Sequence, residues 1–182
     1  MNESFTADER RLIELWERHM HFEFAAKDAA ATVETMAEQS WVNHVPVMTG
    51  GTRPDEVLDF YANHFIPKMP ADTAIELVSR TVGQGRVIDE LIFKFTHDLE
   101  MDWMLPGVAP TGRRVEVPLV VVVQTERDEV VFERIYWDQG SVLAQIGLLD
   151  GAVLPIAGIE TARKVLDPTL PSNELIRRGR RS

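Results

Sequence analysis

The chain has 182 residues, of which 45% are hydrophobic and 26% are charged, and its formal net charge is -10. These values fit one ordered domain with a sizeable core. The acidic balance argues against a nucleic-acid-binding surface, and the absence of cysteine excludes disulfides, zinc-thiolate sites and thiol nucleophiles.

Neither targeting nor membrane insertion is indicated by the sequence. The first residues are polar and lack the basic-then-apolar order of a signal peptide. The longest apolar run, residues 117–123, is too short to span a bilayer. We therefore expect a soluble protein without a membrane span, compatible with a cytoplasmic location.

The chain opens with a predicted amphipathic helix. Thr6 and Glu9 have the spacing of a capping box, and a stripe of mainly apolar residues follows at three- and four-residue steps, including Trp16. His19 and His21 lie two positions apart and cannot share a helical face. Both are interpreted as surface or packing residues.

Two further helices and a short strand are predicted before residue 70. Asp28 is a candidate start for the second helix, and Thr52 followed by Pro54 for the third, which carries Tyr61 among its apolar positions. Between these helices, residues 41–45 alternate in hydrophobicity and predict a strand. His44 lies within that strand.

From residue 74 the period changes to two, which predicts a series of long antiparallel strands. They are expected at residues 74–82, 87–102 and 115–125, followed by a closing strand that ends near Asp138. His97 falls on the apolar face of the second of these strands. It is either a hydrogen-bonded core residue or an acid or base facing a ligand. Trp103 starts the next loop, as a pocket rim or as a hydrophobic tuck.

Helices followed by strands indicate an α+β domain, expected over residues 1–150. Residues 151–182 are interpreted as an extension over this domain. It is expected to hold one short helix, residues 156–166, and a basic disordered end.

The sequence lacks the common nucleotide-binding, serine-hydrolase and helical zinc motifs GxGxxG, GxxxxGK[ST], GxSxG and HExxH. We therefore predict no cofactor and no metal. Candidate polar groups are instead dispersed over predicted strands.

The closing strand carries the most suggestive of these groups. Arg134, Tyr136 and Asp138 share one face by parity, with Glu133 and its alternate neighbours on the other. If the first face points inward, Tyr136 and Asp138 supply a proton donor and a base. With the opposite parity, the polar residues form a solvated ladder or a dimer contact. Asp138 alone could equally cap the following helix.

Several segments resemble the SnoaL-like polyketide cyclases, a family with the NTF2-like fold. The segments are Phe95-Thr96-His97, LPGVAPTGRRV from residue 105, and ERIYWD from residue 133 leading into VLAQIGLL. The resemblance covers roughly residues 10–150. It implies a cone made of a curved antiparallel sheet wrapped around the N-terminal helices.

The same resemblance implies acid-base chemistry, without metal or cofactor, on a small hydrophobic carbonyl compound. Asp138 matches the proton-abstracting Asp and His97 its helper, with Tyr136 as a hydrogen-bond donor. Four residues are assigned to ligand binding: His44, Tyr61, Trp103 and Arg134. The activity expected is that of a cyclase, isomerase or lyase; the alternative is a non-catalytic ligand-binding or dimerisation module. A homodimer is expected in either case.

Overall fold

One six-stranded sheet dominates the protein, whose computed structural model describes residues 5–179. The strand order across the sheet is β2-β1-β6-β5-β4-β3. In chain order the strands are Met36–His44 (β1), Thr49–Gly51 (β2), Ala74–Gly83 (β3), Arg86–Thr96 (β4), Arg114–Glu126 (β5) and Glu129–Trp137 (β6).

Helices precede and follow the strands. The α-helices are Ala7–Met20 (α1), Ala29–Glu34 (α2), Pro54–Asp59 (α3), Gln139–Gln145 (α4), Glu160–Leu166 (α5) and Glu174–Gly179 (α6). A π-helical turn, His21–Ala26, continues α1, and a second one, Phe60–Phe65, continues α3. The predicted capping box is confirmed, because Thr6 and Glu9 exchange both of its hydrogen bonds at the start of α1.

The sheet is antiparallel except where β1 runs parallel to β6. It is curved and unclosed, and the N-terminal helices lie against its inner face. Alternate residues of β5 are fully buried because β5 lies between β4 and β6 with its inner face in the core. The α+β architecture expected from the sequence is confirmed.

The second long strand is shorter than predicted. β4 ends at Thr96, so His97 begins the loop instead of lying within the strand. The backbone N–H of His97 donates to the carbonyl of Arg113, and its carbonyl accepts from the N–H groups of Thr111 and Gly112. The alternation continues past the end of the ladder because residues of the loop also bury apolar side chains, including Met101.

A buried polar contact attaches α1 to the sheet. The indole Nε1 of Trp16 donates to Oδ2 of Asp89 on β4 over 2.8 Å. Arg80 on β3 binds the same carboxylate through both oxygens, at 2.7 and 2.9 Å. A paired carboxylate can remain buried at low cost because its charge is compensated and its oxygens are hydrogen-bonded.

The chain beyond residue 150 packs on the body through α5. Ala162 is fully buried, and the hydroxyl of Ser141 in α4 donates to the carbonyl of Gly158. Up to residue 179, this part of the chain contains two short helices, α5 and α6, where one was expected. The last three residues of the predicted basic end lie outside the described residues, whereas Arg177 and Arg178 belong to α6. None of the described helices is long and apolar enough to cross a membrane.

Candidate active site

Three ionisable side chains meet inside the sheet. Nε2 of His19, on α1, lies 3.3 Å from Oε1 of Glu23 and 3.0 Å from Oε1 of Glu133 on β6. The hydroxyl of Tyr61 donates to the same Glu133 oxygen over 2.9 Å and lies 3.3 Å from His19 Nε2. We call His19, Glu23, Tyr61 and Glu133 the buried cluster; each is at most 4% exposed.

Local geometry explains why these residues converge. His19 and Glu23 are four positions apart, so they project from the same side of a helix. The indole of Trp16 stacks on the His19 ring with 5.4 Å between ring centroids. Glu133 is brought in by strand parity, because Glu133, Ile135 and Trp137 form the buried face of β6.

Mutual charge compensation decides the protonation of His19. Desolvation by burial would lower its pKa, but the charges of Glu133 and Glu23 and their hydrogen bonds outweigh that effect and raise the pKa to about 10. For Glu133, burial would raise the pKa, but His19 and the hydroxyl of Tyr61 hold it below the ordinary value. Near neutral pH, His19 and Glu133 therefore form a buried ion pair.

The second carboxyl behaves differently. Desolvation raises the pKa of Glu23, and the stabilising charge of His19 only partly offsets it. Two carboxylates that share one imidazolium cannot both be fully compensated, so the less stabilised of them holds a proton more readily. A raised pKa makes the ionised form of a carboxyl a stronger base, which suits it to general acid-base work.

A small cavity of about 50 Å³ adjoins the buried cluster. Glu23, Tyr61 and Glu133 contribute to its wall together with His44 on β1. The remaining lining is apolar: Trp16, Met20, Phe24, Phe65, Ile75, Leu91, Phe93, Trp103, Leu119, Val121 and Ile135. This volume is below the several hundred Å³ of common ligand pockets. The arrangement thus suits a very small compound, or a larger one if the wall moves.

His44 is the second histidine of the wall. Its Nδ1 is buried and has no hydrogen-bond partner among the described residues. Burial lowers the pKa of His44 to about 4 against the opposing effects of the Glu133 charge and of a backbone hydrogen bond at Thr49, so the ring is neutral near pH 7. An unpartnered buried ring nitrogen costs free energy, which a hydrogen-bonding ligand or a water molecule would recover.

The buried cluster also has the composition of a metal site. One ligand atom each from His19, Glu23 and Glu133 lies within 4.8 Å of the others, close enough to surround one divalent cation. An imidazole must be unprotonated on the ligating nitrogen to bind a metal. A cation would therefore have to displace the proton that the two carboxylates stabilise on His19.

Three of the residues assigned to ligand binding lie together. His44, Tyr61 and Trp103 all contribute to the cavity wall. Trp103, in the loop after β4, is 2% exposed, so its side chain is tucked into the core and also forms part of the cavity wall. Arg134 is on the outer face of the sheet, with its guanidinium 4.5 Å from the centroid of the Phe132 ring.

The three residues predicted as catalytic lie away from the cavity lining. Asp138 is exposed and caps α4, where its side chain accepts a hydrogen bond from the N–H of Ser141 over 3.1 Å. Tyr136 is 40% exposed on the outer face. His97 is buried, with Nδ1 3.2 Å from the hydroxyl of Thr111, and desolvation lowers its pKa. The parity that turns Arg134, Tyr136 and Asp138 outward is the observed one.

His19, Glu23 and Glu133 were not among the predicted site residues. Their signal was present in the sequence: His19 and Glu23 occupy consecutive steps of one inward stripe that runs from α1 into its π-helical continuation, where polar side chains need a partner. Glu133 could have been found by placing Trp137 inward, since the two residues share a strand face.

No protein-family profile and no curated protein sequence matches the chain. Solved structures do resemble it. A candidate SnoaL-like polyketide cyclase from Jannaschia sp. CCS1 superposes with a TM-score of 0.65 and 19% identity, over 82% of this chain and 100% of that one. A second candidate SnoaL-like cyclase, from Shewanella putrefaciens CN-32, superposes with a TM-score of 0.61 and 13% identity, over 81% of this chain and 91% of that one.

A third similar structure is named as a candidate hydroxylase instead of a cyclase. AclR, a candidate hydroxylase from Streptomyces galilaeus, has a TM-score of 0.60 and 17% identity, over 78% of this chain and 88% of that chain. Identities this low establish the fold and leave the activity open. An NTF2-like protein from Burkholderia thailandensis E264 also superposes, with a TM-score of 0.56 and 14% identity over 74% of this chain and 96% of that chain. The chain therefore has the NTF2-like α+β fold, which it shares with these candidate SnoaL-like cyclases.

Proposed function

We propose that the protein catalyses cofactor-independent proton transfer on a small hydrophobic carbonyl compound, as a cyclase, isomerase or lyase. The observation that carries this proposal is the pair of buried carboxyls, Glu23 and Glu133, beside one histidine on the wall of an otherwise apolar cavity. Carboxyl groups in a desolvated site with distinct pKa values are suited to general acid-base work.

The two carboxyls have different roles in this proposal. Glu23 lines the cavity, and its raised pKa makes its ionised form a stronger base. The Glu23 carboxylate takes the proton from the carbon next to the carbonyl, and the carboxylic acid so formed returns that proton elsewhere on the substrate. Glu133 stays ionised beside His19 and holds the imidazole in place. In the tautomer that carries its proton on Nδ1, His44 donates from this unpartnered nitrogen to the substrate oxygen.

The route into the cavity and the residues that line it favour an uncharged substrate. Among the lining residues, Met20, Phe24 and Ile75 retain exposed surface, so the route from solvent passes between the end of α1 and β3. Lys and Arg are absent from this lining, so a carboxylate or phosphate group would enter without a compensating cation. An uncharged carbonyl compound can pass this apolar entrance and needs no cation in the lining.

Hydrogen–deuterium exchange at carbon tests the proposal without knowledge of the natural substrate. Small ketones such as cyclopentanone and cyclohexanone are incubated with the protein in D2O and followed by NMR. The wild type should speed exchange next to the carbonyl, and Glu23→Gln should lower the rate about 10²- to 10⁴-fold, toward the uncatalysed rate. Glu90→Gln, a change on the outer face, is the control and should leave exchange unchanged.

The alternative is a non-catalytic binding module. It is favoured by the small cavity and by the hydrogen bonds that already satisfy His19 and Glu133 within the protein. In that case the same ketones would shift protein NMR signals around His44 without any exchange above the buffer rate. Exchange catalysed equally by wild type and Glu23→Gln would also contradict the proposal.

We further propose a homodimer formed by the outer sheet face. Trp41 on β1 stacks on Phe132 of β6, and Arg134 lies over both rings in a partly buried patch. Aromatic residues and arginine are enriched in protein interfaces. Sedimentation at micromolar concentration should show a dimer that Phe132→Glu dissociates. Leu77→Glu is the control, since Leu77 is paired with the inward Leu91 and is exposed on the other face.

A further inference from the structure

On the side opposite the carboxylates, the His19 ring contacts a second set of hydrogen-bonding groups. His19 Nδ1 lies 2.5 Å from the hydroxyl oxygen of Thr35, at the end of α2. That hydroxyl lies 2.7 Å from the backbone carbonyl of Thr32. Thr35 is 5% exposed and His19 is fully buried, so water does not replace either contact readily.

The direction of these hydrogen bonds follows from the number of protons available. A carbonyl oxygen can only accept, so the single hydroxyl proton of Thr35 points to Thr32. The Thr35 oxygen then presents a lone pair to His19, and Nδ1 must carry a proton to form the contact. If Thr35 donated to Nδ1 instead, two acceptor oxygens would face each other at 2.7 Å.

The opposite nitrogen faces acceptors as well. Nε2 is 3.0 Å from Glu133, 3.3 Å from Glu23 and 3.3 Å from the Tyr61 oxygen, whose own proton is donated to Glu133. A proton on Nε2 completes these contacts while Nδ1 keeps its own. The raised pKa of His19 agrees with a ring that carries both protons.

From this geometry we infer that Thr35 is a positioning residue that keeps His19 doubly protonated and aimed at both carboxylates. This inference rests on the proposed function for its consequence: His19 then acts as a fixed cation that ionises Glu133 and leaves Glu23 as the group that exchanges protons. Thr35 itself does not line the cavity. It acts through the orientation and charge of the ring.

NMR of protein labelled with ¹⁵N at histidine tests the inference directly, because ring ¹⁵N shifts report which nitrogens carry protons. The His19 signals are assigned by their loss in His19→Asn. In the wild type both ring nitrogens of His19 should stay protonated through at least pH 8. In Thr35→Val, the apparent pKa of His19 should fall by more than one pH unit, and Thr35→Ser should restore it.

Thr32→Val is the matched control. Thr32 is a fully buried threonine of the same helix, but its hydroxyl donates to the carbonyl of Asp28 and leaves His19 untouched. A purely structural role for Thr35 would reduce stability in both valine variants without moving the His19 titration. Folded Thr35→Val with an unchanged titration would overturn the inference.

The wild-type spectrum keeps the test decisive if Thr35→Val does not fold. A His19 ring that is neutral at pH 7, or one whose Nδ1 is unprotonated, would overturn the inference by itself. Neither measurement uses a substrate. Failure of ketone exchange with a doubly protonated His19 would therefore count against the proposed function and leave the role of Thr35 intact.

Discussion

The hydroxyl of Tyr61 donates to Oε1 of Glu133 over 2.9 Å, although the two residues are 72 positions apart in the chain. Tyr61 comes from the helical turn after α3 and Glu133 from the inner face of β6, so this contact joins the helical layer to the sheet. The same carboxylate oxygen contacts His19 on α1. Glu133 is thus the point where three parts of the fold meet.

Neutralising Glu133 should destabilise the protein strongly. Glu133→Gln removes the main counter-charge of a fully buried His19, and breaking one side of a buried ion pair costs about 3–5 kcal/mol. Urea unfolding followed by circular dichroism measures the change. Glu17→Gln breaks only a surface contact with Arg80 and should cost less than about 1 kcal/mol. Equal losses in the two variants would show that the buried pair has no special weight.

Stability should fall as the pH rises through the range in which His19 titrates. The folded pKa of about 10 lies above the ordinary value of 6.5, so the folded state binds more protons than the unfolded state between these limits. The contribution is therefore complete below pH 6.5 and is lost toward pH 10, with a slope of at most about 1.4 kcal/mol per pH unit for one proton.

Urea midpoints between pH 7 and 9 check this slope, with His19→Gln as the comparison. The variant lacks the titrating ring, so its stability should vary less with pH over that window. Glu133 works in the opposite sense at acid pH, because its lowered pKa withdraws stability as the pH falls below about 4.5. A wild-type curve that stays flat from pH 7 to 9 would contradict the raised pKa of His19.

Asp138 provides a test that separates helix capping from catalysis. Asp138→Ala removes the hydrogen bond to the N–H of Ser141 and should cost about 1 kcal/mol, whereas Asp138→Asn keeps an N-cap acceptor and should cost little. Neither change should alter ketone exchange if Glu23 is the working base. Loss of exchange in folded Asp138→Asn would instead support the catalytic role predicted from the sequence.

The contact between Trp16 and Asp89 should contribute measurably to stability. Trp16→Phe keeps an aromatic ring but removes the donor to a buried carboxylate, for which a loss of about 1.5–3 kcal/mol is expected. Trp103→Phe is the matched control, because Trp103 is as buried as Trp16 but its Nε1 has no hydrogen-bond partner among the described residues. Chemical denaturation of the two variants should show the larger loss at residue 16.

The order of helices and strands was readable because it depends on local rules. The capping box at Thr6 and the two-residue period of β4 each reflect interactions among neighbouring residues, and both were found correctly. The end of β4 was not, because apolar alternation continues into the loop at His97 while the ladder stops. Burial and strand pairing are separate requirements, and hydrophobic pattern reports only the first.

The candidate site was also only partly determined by the sequence. The polar residues on the apolar stripe of α1, His19 and Glu23, are a property of the sequence, as is the alternation that puts Glu133 and Tyr136 on opposite faces of β6. Which of those faces points inward was decided by the packing of Trp137 against His44 and Trp103, and with it whether Asp138 or Glu133 enters the core. The pKa values of the buried cluster were decided there too, since desolvation and charge pairing exist only once the helices close over the sheet.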